Sequence, residues 1–318
     1  MSRILVVGLC CVDVVHYVDK FPIEDSDARV VKRVVLLGGN AANNITVLKQ
    51  FTDNCEIFAA LPKTDSILEG LLNEIKIDTS KCVRRNQSSE CPISTVINNR
   101  TTGSRTVLHY RGDLPELTAD EFEATFSNRF AEFGWIHFEG RNFEEVRRMM
   151  DCVILSRKRE ETHAKISVEL EKIRPYPHLE QLIPLADVLF VSKDFAKNKG
   201  WNSMTEAVEA ISALAPKATV ICAWGDSVNA LNFLSPQIKG AAGKQGTSSS
   251  AGVTIQPAIR LDKVVDSLGA GDCFIGACLY ALNQPDATLN NVLKIGCDVA
   301  GRKCTQEGLL NLNDVKRD

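Results

Sequence analysis

Short apolar runs recur along the chain, and most of them end in polar residues. The first run covers residues 4–9, and four similar runs lie further on, at 135–142, 166–171, 188–194 and 219–226. Near-continuous apolar runs are typical of strands that are covered on both faces of a parallel sheet. Helical segments separate them. The pattern therefore predicts an α/β fold with a doubly wound, mostly parallel sheet, whose strand ends meet at one crevice.

Four further segments alternate between apolar and polar residues and are rich in β-branched side chains. They pair across turn sequences, 14–21 with 29–37 and 93–98 with 105–109. Two hairpins inside a βα pattern favour a small β-sheet lid over the large domain. The predicted division is 13–38 and 93–111 for the lid, and 1–12, 39–92 and 112–318 for the large domain.

Other segments complete the βα pattern. Residues 57–61 are predicted to form one strand, 66–75 a helix and 289–304 a second, apolar helix. Residues 235–252 are rich in glycine and serine, and this composition favours a flexible loop between short strands.

Composition excludes several classes of protein. The 318 residues carry a net charge of −3, so neither a nucleic-acid nor an anionic-membrane partner is expected. Eleven scattered cysteines contain no Cys-x-x-Cys pair, which favours reduced, buried thiols. The apolar start lacks a cleavage pattern and no transmembrane run follows, so we expect a cytoplasmic protein.

A glycine motif precedes the apolar helical run that starts at Cys273. Gly269 and Gly271 allow close approach of a ligand, and the first free amides of a helix form an anion site. Asp272 lies beside these amides, where an ionised carboxylate can take a proton from a hydroxyl. The alternative is a connector whose aspartate only caps the helix.

A second glycine motif, Gly38-Gly39-Asn40-Ala41-Ala42-Asn43, opens an earlier helix. Asn40 and Asn43 share one helical face, and this suits a polyhydroxylated ligand. A helix cap would explain Asn40 but not Asn43. Asp13, just beyond the first strand, is either a substrate contact or a solvated loop acid.

Three other features bear on possible binding sites. Arg105 on the second hairpin either reaches a phosphate or is a solvated strand arginine. His137 has no partner motif and is expected to be structural. Gln245 stands where a Walker motif requires Ser or Thr, and no Gly-x-Gly-x-x-Gly follows a strand, which excludes a P-loop or a typical dinucleotide site.

The two glycine motifs, with their order and separation, resemble the signatures of the ribokinase-like (PfkB) carbohydrate kinases. The matching segments are 38–43 and 266–277. A finer resemblance runs over nearly the whole chain to the branch that phosphorylates fructose at the 1-hydroxyl, and it is strongest at 18–26, 135–142, 190–194 and 222–224.

The resemblance implies an ATP-dependent ketohexose kinase. The sugar would be held by Asp13, Gly39, Asn40 and Asn43, with Asp272 as base and the amides of Gly269, Ala270 and Gly271 as anion hole. Nucleotide contacts would come from Arg105, Gly225, Asp226, Cys297 and Cys304. The hairpins resemble a β-clasp that joins a homodimer, in which Asp25 reaches the sugar site of the partner.

The resemblance also implies Mg²⁺, with K⁺ as a further candidate cofactor. Ser192-Lys193-Asp194 replaces the Asn-x-x-Glu motif that many relatives use for magnesium, so Glu171 is the candidate ligand. The loop after Trp224 is one residue shorter than expected. The alternatives are a kinase for another sugar or nucleoside, such as ribose or adenosine, and a non-catalytic sugar-binding protein.

Overall fold

The structure is a computed structural model that describes residues 2–86, 90–171, 178–225 and 253–314, together with the backbone of 240–244. Its strands are β1 Arg3–Val7, β2 Cys11–Val18, β3 Lys32–Gly38, β4 Cys55–Phe58, β5 Ala60–Pro62, β6 Val83–Arg85, β7 Ile93–Asn99, β8 Arg105–Tyr110, β9 Phe133–Phe138, β10 Lys165–Leu170, β11 Val188–Ser192, β12 Thr219–Ala223, β13 Gly240–Lys244 and β14 Thr254–Pro257. Its α-helices are α1 Asn40–Leu48, α2 Ser66–Ile75, α3 Ala119–Phe126, α4 Phe143–Lys158, α5 Lys193–Asn198, α6 Met204–Leu214, α7 Ala270–Leu282 and α8 Leu289–Cys304, and two 3₁₀ turns lie at Phe130–Glu132 and Leu179–Leu185.

Eight strands form the main sheet in the order β14-β13-β12-β11-β10-β9-β1-β4. The neighbours from β12 to β4 are parallel, and β13 and β14 add an antiparallel edge. Strand order reverses at β1, which lies between β4 and β9. The predicted doubly wound, mostly parallel sheet is confirmed, and its switch point is where such sheets bind ligands.

Helices cover both faces of this sheet. On one face α3, α4, α5 and α6 pack on a core that includes Phe58 and Phe126, whose rings meet edge to face with centroids 5.0 Å apart. On the other face α1, α2, α7 and α8 bury a second apolar cluster. Both faces are therefore apolar, as the continuous runs in the sequence require.

Two predictions about elements were wrong. The predicted strand 57–61 breaks at Ala59: β4 stays in the main sheet, whereas β5 leaves it and pairs with β6. Part of the predicted loop 235–252 is strand β13, which pairs with β12 through its backbone. The remainder of that loop lies outside the described residues.

Four strands form a separate small sheet in the order β3-β2-β7-β8. The two predicted hairpins are confirmed as the antiparallel pairs β2/β3 and β7/β8, and β2 joins β7 in parallel. Its buried side chains Val15, Tyr17 and Val96 pack against Leu268 of the glycine motif that precedes α7. The sheet thus sits directly on the predicted anion site.

Across the described residues, no helix combines the length and apolar character needed to cross a membrane.

Candidate active site

The two glycine motifs begin two helices that lie against each other. A Cβ added at Gly276 of α7 would lie 2.9 Å from Val47 Cβ of α1, so the glycine permits this close packing. The first turns also meet, because Asn43 Nδ2 donates to Asp272 Oδ2 at 2.6 Å. Residues 229 positions apart in the chain are thus joined by one hydrogen bond.

The residue before each helix has a positive φ that favours glycine. Gly39 has φ 93°, and a Cβ there would lie 2.5 Å from Leu9 O. Gly269 has φ 74°, and a Cβ there would lie 3.0 Å from Leu309 Cδ2. Larger residues would be strained at both positions. The sequence motifs therefore mark two backbone geometries that only glycine adopts without cost.

Asn43 offers an unused acceptor beside Asp272. The Asn43 side chain is buried, its amide nitrogen is committed to Asp272, and its Oδ1 accepts no hydrogen bond from the described residues. A buried carbonyl without a donor costs about 1–3 kcal/mol. A ligand hydroxyl that donates to Oδ1 would remove this cost.

The Asn40 side chain donates to two carboxyl groups, one on β10 and one on the residue that follows it. Its Nδ2 donates to Glu169 Oε2 at 2.8 Å and also to Glu171 Oε2. Asn44 Nδ2 donates to the other oxygen of Glu169 at 2.6 Å. Both amide protons of Asn40 are used in this way, so its Oδ1 is the atom left for a ligand donor.

The buried side chain of His137 contacts the carboxyl group of Glu169. His137 Nε2 lies 2.9 Å from Glu169 Oε1, and its Nδ1 lies 2.8 Å from Ser167 Oγ. Burial, with the nearby carboxylates of Glu171 and Glu139, raises the pKa of Glu169 to about 8, and burial lowers the pKa of His137 to about 3. The pair therefore holds one proton at neutral pH, and His137 has the structural position expected for it.

The shared proton predicts an unusual pH dependence of stability. Unfolding returns the pKa values of Glu169 and His137 to 4.5 and 6.5. Glu169 contributes stability that is lost as pH rises to about 8, and His137 contributes stability that is lost as pH falls from 6.5. The two terms cancel between pH 4.5 and 6.5. Above that range the pair should lower the free energy of unfolding by about 2 kcal/mol up to pH 8.

Urea unfolding of Glu169→Gln across this range checks the prediction. In the variant only His137 changes its protonation on unfolding. Its free energy of unfolding should therefore rise by about 3 kcal/mol from pH 4.5 to 6.5, where that of wild type is constant, and should not fall above pH 6.5. His163→Asn, at an exposed histidine, should follow the wild-type profile. Parallel profiles for wild type and Glu169→Gln would contradict the assigned shifts.

Two more acidic residues, one on β2 of the small sheet and one just after β9 of the main sheet, are also buried. Asp13 is buried on β2, where Cys11 Sγ donates to its Oδ1 at 3.5 Å. Glu139 follows β9 and accepts from Leu9 N at 2.7 Å and from Arg141 Nη1 at 3.2 Å. Together with Asn40 and Asn43, Asp13 lies where α1 meets the small sheet.

Sequence reasoning missed three residues of this cluster, Asn44, Glu139 and Glu169, as site residues. The signal was present for both acids, since each stands at the carboxyl end of an apolar run in a parallel sheet. Asn44 carried no such signal, because it directly follows Asn43 and its position relative to the glycines indicates no particular role.

Space remains above the first turn of α7. Apart from its chain neighbours and the nearby backbone of α7, no described atom lies within 4 Å of the position that a Cβ would take at Gly271. The Ala270 amide is partly committed, as it donates to Ser267 O at 3.3 Å. Arg105 Nη1 of β8 donates to Ser267 Oγ at 3.0 Å, so this guanidinium lies beside the motif that precedes α7.

Four of the five remaining predicted site residues lie within the described parts of the chain. Cys304 ends α8, and its carbonyl oxygen accepts from Val265 N at 2.8 Å, whereas Cys297 is buried in an apolar cluster. Gly225 is exposed just after β12, and Asp226 lies outside the described residues. Asp25 is exposed in the turn between β2 and β3, with φ 57°.

Comparison with known proteins shows the family to which the chain belongs. A sequence profile of the pfkB family carbohydrate kinases matches residues 1–226 and 239–316. The chain belongs to this family. It is 32% identical to ketohexokinase of Mus musculus, over 96% of this chain and 97% of that protein. The resemblance predicted from the motifs is thereby confirmed, and the protein is a carbohydrate kinase of the ribokinase-like family.

Solved structures of low identity confirm the fold. Ribokinase from Giardia lamblia superposes with a TM-score of 0.77 at 14% identity, covering 97% of this chain and 95% of its own. Ribokinase from Cryptococcus neoformans, in complex with ADP, gives a TM-score of 0.71 at 15% identity, covering 98% and 96%. The fold is thus that of the ribokinases.

Proposed function

We propose that this kinase transfers the γ-phosphoryl group of ATP to the 1-hydroxyl of fructose. The 2.6 Å hydrogen bond between Asn43 and Asp272 is the observation that supports it most directly. It joins an amide suited to sugar hydroxyls to a carboxylate at a helix N-terminus suited to phosphate. The similarity to ketohexokinase favours a ketohexose over other acceptors.

In the proposed reaction Asp272 takes the proton of the 1-hydroxyl as that oxygen attacks the γ-phosphorus. The bond to the bridging oxygen breaks in line, and ADP leaves. The amides of the first turn of α7 stabilise the charge on the transferring group. The residues proposed to hold the sugar are Asp13, Gly39, Asn40 and Asn43, and those proposed for the anion hole are Gly269, Ala270 and Gly271.

ATP is the proposed phosphoryl donor. Arg105 is proposed to contact its phosphates, and the 3.0 Å bond to Ser267 puts this guanidinium next to the motif. We propose Gly225, Asp226, Cys297 and Cys304 as lining of the nucleotide pocket. Cys304 contacts the backbone just before the motif, since its carbonyl oxygen accepts from Val265 N.

Mg²⁺ would neutralise charge on the phosphates of ATP. No group of three or more metal-ligating side chains occurs in the described parts of the chain. This fits an ion that is held mainly by the nucleotide and by one or two carboxylates. Glu171, next to Asn40, is the residue we propose for that contact. K⁺ is proposed as a further cofactor on the resemblance to the family alone.

A panel of acceptors at fixed ATP tests the substrate. Fructose should give the highest kcat/KM, above ribose, adenosine and aldohexoses. Adenosine or ribose preferred over every ketose would overturn the choice of substrate and leave the kinase class intact. Sugar binding by calorimetry without any phosphoryl transfer would favour the non-catalytic alternative.

We also propose that the small sheet joins two subunits. All six residues of its edge strand β8 are exposed, and they include Val107, Leu108 and Tyr110, which are 48%, 58% and 61% exposed. An exposed apolar edge strand of this kind favours pairing with another strand. In such a dimer Asp25 is proposed to reach the partner's sugar site.

Leu108→Glu should convert the protein from a dimer to a monomer of 34.9 kDa, because a carboxylate would be buried in the interface. Light scattering on a size-exclusion column gives the mass. Leu155→Glu on α4, where the leucine is 54% exposed, is the matched control and should stay dimeric. A monomeric wild type would contradict the proposed clasp.

A cytoplasmic location is proposed from the cysteines. None of the eleven forms a disulfide bond, and burial raises the pKa of the Cys55 thiol to about 11 and that of Cys91 to about 12. Eleven thiols without a disulfide suit a reducing compartment.

A further inference from the structure

A buried ion pair lies directly behind the glycine motif. Lys303 Nζ donates to Asp266 Oδ2 at 2.8 Å, and each side chain is 1% exposed. The same ammonium donates to Asp266 O at 3.0 Å and to Gln306 O at 3.2 Å. Three oxygens therefore surround the charge, as they would a bound cation.

The carboxylate of this pair is fixed from its other side. Asp266 Oδ1 accepts from Leu268 N at 2.9 Å and from Asn98 Nδ2 of the lid strand β7 at 2.9 Å. Leu268 is the residue before Gly269, where the first turn of α7 begins. The ion pair thus connects three parts of the molecule, namely α8, the loop before α7 and strand β7 of the small sheet.

A gain in folding stability does not account for the charged pair at this position. Removing two charges from water is costly, and an apolar pair of similar volume is often as stable. A charged pair does provide directional bonds, which can hold a loop in one conformation. The backbone supports the same attachment, because Cys304 O accepts from Val265 N and, at 3.4 Å, from Asp266 N.

We propose that Lys303 is a positioning residue for phosphoryl transfer. Its ammonium acts as a tethered cation that neutralises Asp266 and so fixes the Leu268 to Gly271 backbone against the transferring group. The same pair holds strand β7 of the lid on the motif. This inference rests on the proposed anion-hole role of the α7 amides.

Lys303→Ala tests the inference by leaving a cavity where the ammonium stood. We expect kcat to fall about 10²-fold, comparable to the loss of one anion-hole donor. The KM and the calorimetric Kd for the sugar should change less than about twofold, because Asn40 and Asn43 remain. Added methylammonium should restore at least part of kcat, whereas tetramethylammonium, which has no N–H, should not.

Two controls separate positioning from folding. Lys294→Ala, at an exposed lysine on the same helix, should retain wild-type kcat and show no response to methylammonium. Should Lys303→Ala fail to fold, Lys303→Met combined with Asp266→Asn removes both charges without a cavity. That double variant should fold, bind sugar normally and show the same loss of kcat, without rescue.

The inference is overturned by a folded variant whose kcat stays within twofold of wild type. It is equally overturned if sugar affinity falls in parallel with kcat and no cation restores either. Assays use whichever sugar wild type phosphorylates fastest. A wrong choice of fructose would therefore appear in the wild-type panel and not in the response of Lys303→Ala.

Discussion

Asp272→Asn should lower kcat for fructose phosphorylation by about 10²–10⁴-fold, the usual range for loss of a general base. The amide can still accept from Asn43 Nδ2 through its own oxygen, so the 2.6 Å contact can be kept. It cannot take the proton of the attacking hydroxyl. The Kd for fructose should therefore change little, and the loss should appear in kcat.

Initial rates with a coupled ADP assay, and calorimetry of fructose binding, measure the two quantities separately. Asp286→Asn, at an exposed aspartate that follows α7, is the matched control and should keep wild-type kcat. A kcat for Asp272→Asn within threefold of wild type would remove Asp272 from the role of base.

Asn43→Ala should lower kcat/KM by about 10–10²-fold, since it removes a donor to Asp272 and an acceptor for the sugar. Part of the loss should appear in KM, because the alanine side chain has no oxygen to accept a hydrogen bond from a sugar hydroxyl. The remainder should appear in kcat, because Asp272 loses the bond that orients it.

A double-mutant cycle separates these parts. The kcat effects of Asn43→Ala and Asp272→Asn should be far from additive, as expected for residues in direct contact. Asn73→Ala, at an exposed asparagine on α2, should leave kcat/KM unchanged. Additive effects on kcat would mean that Asn43 acts only on sugar binding and does not orient the carboxylate.

Local signals predicted some elements to the residue. Helix α2 begins after Asp65, whose side chain accepts from the amides of Ile67 and Leu68, and α8 begins after Thr288, which accepts from Asn291 N. Such caps are visible in the sequence, and both helix ranges, 66–75 and 289–304, are confirmed.

Strand pairings that depend on residues distant in sequence could not be predicted in the same way. Residues 57–61 read as one apolar strand, yet Ala59 O accepts from Val83 N, and the chain leaves the main sheet there. Strand β13 is formed by glycine, alanine and lysine with no β-pattern, so its pairing with β12 depends on the backbone alone.

The candidate site was also predicted only in part. Asn43 and Asp272 were predicted as site residues because each belongs to a short motif at the start of one helix. The network around Glu169 was not identified, because a buried acid with a pKa near 8 differs from a solvated one only through its neighbours. Lys303 was missed for the same reason, as a lysine near a helix end is usually solvated.

The most direct test of the proposed reaction is the position of the phosphoryl group in the product. Purified protein, ATP with Mg²⁺ and fructose labelled with ¹³C at carbon 1 are incubated, and the ¹³C–³¹P coupling is measured by NMR. We predict coupling at carbon 1, which is absent in Asp272→Asn over the same time. Phosphate on another carbon, or no sugar phosphate despite sugar binding, would contradict the proposed reaction.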